Sequence, residues 1–177
     1  GTHEFAIPDD MIRAAEELGG KFKVGLCLDY GYGDTAYKVA CLKEWLRRHA
    51  DSPAQLRLRG KPAFITYGAG YAILTKTEQV RDRVAALREA AGRPIYVCVD
   101  MTEFPNLKPE EWEPKVRAYA PYADGITCFY SRRGFEQNAA AFAAMAKVCR
   151  ETGTDWAMSL WGNYYTPGRK ANLENIG

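Results

Sequence analysis

A regular repeat constrains this chain more than any other feature. Five short apolar stretches with strand-like alternation begin near residues 22, 63, 95, 125 and 156, and four of them are followed by a helical stripe before the next begins. The intervals are 41, 32, 30 and 31 residues, the length of one strand-helix unit. A helix carries the chain back to the end where the preceding strand began, so successive strands of this kind run parallel. The repeat therefore predicts an α/β fold of parallel βα units. Two closures are compatible with it: an incomplete (β/α)8 TIM barrel of five strand-helix units, or an open doubly wound sheet.

The local pattern supports each unit. Ile7 to Gly20 reads as a helix opened by Pro8 and Asp9, with Met11, Ile12, Ala15 and Leu18 at helical spacing. Phe22 to Tyr30 alternates, placing Phe22, Val24, Leu26 and Leu28 on one face and Gly25, Cys27 and Asp29 on the other. Asp34 can cap the next helix, whose stripe is read as Val39, Leu42 and Leu46. Ala63 to Gly70 is the second strand, introduced by Gly60-Lys61-Pro62, and Thr75 with Glu78 forms a capping box for a helix that ends at Gly92. Ile95 to Met101 is the third strand. Pro109 opens a helix that Pro121 stops; Gly125 to Ser131 is the fourth strand, Phe135 to Thr152 the next helix, and Trp156 to Tyr165 the fifth strand. Cys27-x-Asp29, Cys98-x-Asp100 and Ala157-x-Ser159-x-Trp161 each put a small residue and then a functional one on one strand face. Small or polar rows that end in functional groups at the C-terminal rim suit a barrel lumen, which favours the barrel. A whole barrel takes about 250 residues, so residues 1-177 are expected to form a single partial barrel domain.

Composition narrows the function classes. Lys and Arg total 24 against 22 Asp and Glu, a formal charge of +2 with the signs interleaved, which argues against a nucleic-acid partner. No apolar run approaches the roughly 18 residues that span a bilayer, and Gly1 to Asp10 has no signal-peptide pattern, so no membrane partner is expected. Cys27, Cys41, Cys98, Cys128 and Cys149 lie far apart, without Cys-x-x-Cys spacing, and His3 and His49 are remote from them. Reduced, mostly buried thiols and no zinc site follow. No metal and no organic cofactor is expected, and carboxylates are left as the chemistry.

Several segments carry a resemblance to a known family. Leu56 to Gly70 (LRLRGKPAFITYGAG) resembles the Gly-Lys-Pro segment that precedes a central strand in glycoside hydrolase families 71 and 99. Phe22-Lys23 with Leu28-Asp29 is similar to an early strand of family 71, and Ala123-Asp124-Gly125 and Ser159 to Tyr165 (SLWGNYY) to its later strands. The resemblance covers most of Ala6 to Tyr165 and matches the third to seventh strands. It implies a barrel that hydrolyses an α-linked glucan or a mannoside, of the α-1,3-glucanase or endo-α-mannosidase type. The first two strands and the Trp-Asn-Asp-x-x-Glu type segment that supplies the family's acids have no counterpart here. The chain then reads as a fragment lacking the catalytic segment, completed by a missing segment or a complementing chain, with a polysaccharide or oligosaccharide as substrate. The alternatives are a non-catalytic carbohydrate-binding or scaffold module, and a doubly wound domain handling a nucleotide or phosphosugar.

Candidate residues follow from position at strand ends. Asp100 and Glu103 follow the third strand and are the candidate catalytic pair, since glycoside hydrolysis needs one protonated and one ionised carboxyl. Asp29, Tyr67, Tyr130, Trp161, Asn163 and Tyr164 are candidate substrate-binding residues, the aromatics offering faces to stack on sugar and Asn163 an amide for hydroxyls. Gly31-x-Gly33 and Gly68-x-Gly70 complete no phosphate-binding motif and read as turns, and Arg132-Arg133 as a solvated loop pair.

Overall fold

The computed structural model describes residues 6–31, 33–68, 76–102, 104–129 and 135–158. In chain order these hold α1 (Ala6–Glu17), β1 (Leu26–Asp29), α2 (Thr35–His49), β2 (Arg57–Leu58), β3 (Lys61–Tyr67), α3 (Thr77–Ala91), β4 (Tyr96–Asp100), a 3-10 turn (Phe104–Asn106), α4 (Pro109–Tyr119), β5 (Gly125–Cys128), α5 (Phe135–Thr152) and β6 (Asp155–Met158). The five main strands form one parallel sheet in the order β1-β3-β4-β5-β6, while β2 pairs antiparallel with the start of β3. The α/β class and the parallel βα units are therefore as the repeat requires. Strand order follows chain order without reversal, whereas a doubly wound sheet reverses at a switch point.

The lateral register sorts the strand residues onto two faces. Leu26, Phe64 and Val97 form one row, and Leu28, Thr66, Val99, Ile126 and Trp156 the next. This face carries the main core. Leu42 and Trp45 of α2, Val80, Val84 and Leu87 of α3, Val116 and Tyr119 of α4, and Met145 and Val148 of α5 are buried against it. Neighbouring helices pack on each other, α2 on α3 and α4 on α5, so they form one layer. On the other face Ala63, Tyr96 and Cys98 make a small separate cluster with Leu56, and no helix residue belongs to it among the described residues. Ile65, on this uncovered face, is 41% exposed. Among the described residues, helices cover one face of the sheet.

Several boundaries differ from the sequence expectation for local reasons. The first strand is shorter, because Val24 bonds to Ala54 and Leu56 and leaves pairing with β3 to Leu26 onward. The turn before β3 is Arg59-Gly60, both at positive φ (49° and 76°), and Lys61 and Pro62 lie inside the strand. That geometry suits a two-residue hairpin, and Pro62 sits near a strand start where its missing N–H costs least. The expected capping box rests on Thr75, which lies outside the described residues; α3 begins at Thr77 with Lys76 at its N-cap, which makes no side-chain cap bond. The buried stripe of α2 is Lys38, Leu42, Trp45 and His49, one step round from the expected Val39, Leu42 and Leu46.

Candidate functional site

The C-terminal ends of the strands meet at one rim, and the uncovered face leads to it. From the N-terminal end upward, the rows on this face are Ala63 with Tyr96, then Cys27, Ile65, Cys98 and Gly125 with Asp155, then Asp29 with Tyr67 and Asp100 with Thr127 and Ala157. The Cys-x-Asp pairs thus share a face, and both carboxylates stand on its last row.

Asp100 is the most constrained group. Its side chain is wholly buried (0% exposed), yet each oxygen is used. Oδ1 accepts the backbone N–H of Phe129 at 2.7 Å, beyond β5, and Oδ2 accepts the N–H of Gly68 at 3.3 Å, beyond β3. The Thr102 hydroxyl also donates to Oδ2. One carboxylate therefore ties together the ends of three strands. Burial raises its pKa above the usual carboxylate range, opposed by those hydrogen bonds. Above the flanking strands Tyr67 and Phe129 meet edge to face, ring centroids 4.9 Å apart, and Phe129 is 41% exposed. Asp100 is thus fixed in place by donors from three segments.

Asp29 differs. It is half-buried, and its Oδ1 accepts the Gly31 N–H at 2.7 Å in a tight local turn. No other hydrogen bond reaches its carboxylate among the described residues, which leaves Oδ2 as an acceptor for an incoming group. Cys27, two residues below on the same face, keeps solvent contact but is crowded: burial chiefly, then the Asp29 and Asp100 charges, raise its thiol pKa, while a hydrogen bond with the Tyr67 backbone and, least, the Lys38 charge lower it. Lys38, in the first turn of α2, was not among the sequence candidates. Its signal was the stripe Lys38, Leu42, Trp45, His49 at spacings of four, three and four, which marks the sheet-facing side of α2.

Of the sequence candidates, the structure brings together Asp29, Tyr67 and Asp100. Glu103, Tyr130, Trp161, Asn163 and Tyr164 lie outside the described residues, as do Tyr165, Ser159 and Arg132-Arg133. Among the described residues no three His, Cys, Asp or Glu side chains group as a metal site, and no helix is long and apolar enough to cross a membrane.

Three of the segments behind the family resemblance, at Lys23, Gly60-Lys61-Pro62 and Ala123-Asp124-Gly125, have structural work at the opposite end of the sheet. Gly60-Lys61-Pro62 completes the β2–β3 hairpin. Asp124 accepts Lys61 Nζ at 3.4 Å, an Arg88 N–H at 2.8 Å and the Val97 amide at 3.0 Å, bracing β3, α3 and β4. Gly125 leaves room for the Tyr96 hydroxyl, which donates to Asp155 at 2.9 Å; Asp155 also accepts Arg59 at 2.6 Å. Lys23 donates to the Pro53 carbonyl. Short phrases fixed by turns and braces recur wherever strands need them, which is why they mislead as family signatures.

No protein-family model matches the chain, and no curated protein matches it. Among solved structures it is similar to a rubisco-like protein from Burkholderia fungorum, at 14% identity and a TM-score of 0.42, over 85% of this chain and 34% of that one. The chain spans about a third of that protein's length. The expected membership of glycoside hydrolase families 71 and 99 is corrected: with no family model and no curated protein matching, neither hydrolysis of an α-linked polysaccharide nor a place in carbohydrate degradation has support.

Proposed function

We propose that the described residues form five consecutive strands of a single (β/α)8-type barrel domain, and that its C-terminal rim binds a small polar molecule through Asp29. The fold reading is supported by the unreversed strand order and by helices on one face alone. Parallel α/β sheets take their ligands at the C-terminal ends of their strands in either closure. The observation that carries the binding reading is the division of labour between two carboxylates on one row. Asp100 is saturated and buried, while Asp29 keeps an oxygen without a donor among the described residues. A carboxylate accepts and cannot donate, so its ligand brings hydroxyl or ammonium hydrogens. Tyr67 and Phe129, packed edge to face, supply apolar ring surface beside it.

Cys27 provides the readout. Alkylation by iodoacetamide is measured with and without a panel of small polyols and amines, in the wild-type chain and in Asp29→Asn. A probe in the site slows alkylation of the wild type, and Asp29→Asn abolishes that protection ratio. Equal protection of both chains, or none by any probe, refutes the assignment of Asp29.

A further inference from the structure

The two most exposed large apolar side chains among the described residues, Leu18 (55%) and Met11 (49%), belong to α1 and its last turn. Leu18 follows the helix, but its amide bonds the Ala14 carbonyl at 3.1 Å and so extends the helical ladder by one residue. Met11, Ala14 and Leu18 recur at spacings of three and four and are all exposed, which makes them one stripe. The contacts of α1 orient that stripe. Each residue turns a helix by about 100°, so the flanks of α1 follow one another in a fixed order. Asp9 and Glu16 face α2 and the turn after it, where they meet Arg48, His49 and Ser52. About a quarter turn on, Ile12 and Ala15 enter the main core. Met11, Ala14 and Leu18 lie about a further quarter turn round, and Asp10 and Glu17, both exposed, border them on the far side. The stripe therefore looks along the helix layer, away from α2. That layer packs its helices side by side, α2 on α3 and α4 on α5, and the stripe is a flank of the same kind left open. Ala14 between two larger neighbours leaves a hollow that fits a side chain of a facing helix.

We propose that this flank of α1 docks an amphipathic helix of a partner protein, whose apolar stripe is bordered by lysine or arginine set against Asp10 and Glu17. Charge selects the occupant. Asp10 has an ion pair with Arg13 on its own helix, at 2.6 Å, but both side chains are well exposed, and such pairs yield readily to a better partner. A second copy of this chain is a poor fit, because a two-fold that lays α1 antiparallel on itself sets the acidic border against its own image.

The test uses the full chain and two synthetic helical peptides with the same leucine stripe, one bordered by lysine and one by glutamate. Amide chemical shifts, thermal melts and sedimentation velocity are the readouts. The lysine peptide binds saturably and moves the amides of Met11, Ala14 and Leu18, while the glutamate peptide does not. Leu18→Ser weakens that binding by about tenfold, as loss of an apolar anchor does, and melts as the wild type does. Asp10→Lys combined with Glu17→Lys reverses the choice of peptide. Equal binding of both peptides, binding of neither, or a choice that the charge reversal leaves alone overturns the inference. A Leu18→Ser chain that melts lower also overturns it, because the stripe then serves the chain's own fold. So does a wild type that sediments as a dimer and a Leu18→Ser chain that does not, because the occupant is then a second copy.

Discussion

At the residue scale the rim is governed by how one buried carboxylate is satisfied. Asp100 accepts donors from Gly68, Thr102 and Phe129, so Asp100→Ala strands the donors at the ends of β3 and β5 together. An unsatisfied buried donor costs about 1–3 kcal/mol, and the variant is expected to lose about 3 kcal/mol in urea unfolding. Its titration has a definite sign. Burial raises the carboxyl pKa above its unfolded value, so the folded chain holds the proton more tightly. The stability that Asp100 contributes, relative to Asp100→Asn, is therefore greatest below the ordinary carboxylate range and falls as pH rises through the raised pKa, then stays level. Unfolding curves for the two chains across acid pH check this; a difference that grows with pH contradicts it. Cys27 gives a second sign. The Asp29 charge raises its pKa, so Asp29→Asn speeds iodoacetamide alkylation at every pH below the thiol's midpoint and leaves the fully ionised rate alone.

At the element scale the strands depend on close approaches that no periodicity shows. A Cβ on Gly125 would clash with the Tyr96 hydroxyl, so Gly125→Ala must displace Tyr96 and break its bond to Asp155. The expected cost is about 2 kcal/mol, typical of overpacking in a filled space. Tyr96→Phe in the same chain recovers part of it, and a double-mutant cycle on thermal or urea unfolding measures the coupling. Strictly additive costs would place the clash elsewhere. These elements also show what sequence can carry. Alternation located β1, β3, β4, β5 and β6 and the shared face of Cys27, Asp29, Cys98 and Asp100, because period-two patterning is a local property of a pleated strand. Helical spacing found α2 but misjudged its buried side by about one residue, because Lys38 and His49 looked solvated by type; His49 instead bonds Asp9 at 2.7 Å across to α1. The Asp100 brace was legible only as an acid after a strand. Its partners, Gly68 and Phe129, lie 32 and 29 residues away and come together through sheet register alone.

At the scale of the whole molecule, sequential parallel strands under a single helix layer create a gradient of protection. β4 lies at the centre, paired with β3 and β5, and all five of its residues are buried. β1 and β6 each pair with one strand among the described residues, and the helix-side Trp156 of β6 is 41% exposed. The α1 helix is held largely by polar contacts, Asp9 to Arg48 and His49 and Glu16 to Ser52, around a cavity of about 420 Å³, with Ile12 and Ala15 as its core residues. Opening free energies track buried apolar contact and the number of bonds that must break together, so different parts of one sheet exchange by different routes. Amide hydrogen exchange at neutral pH is therefore expected to be slowest in Val97, Cys98 and Val99, intermediate in Phe64 to Thr66 and Ile126 to Cys128, and faster in β1, β6 and α1. The Asp100 brace sharpens the expectation, because it joins β3, β4 and β5 and leaves β1 and β6 out. Asp100→Ala should accelerate exchange in the last residues of those three strands more than in β1. Uniform exchange across the five strands, or slowest exchange in β1 or β6, would show that the sheet does not open from its edges.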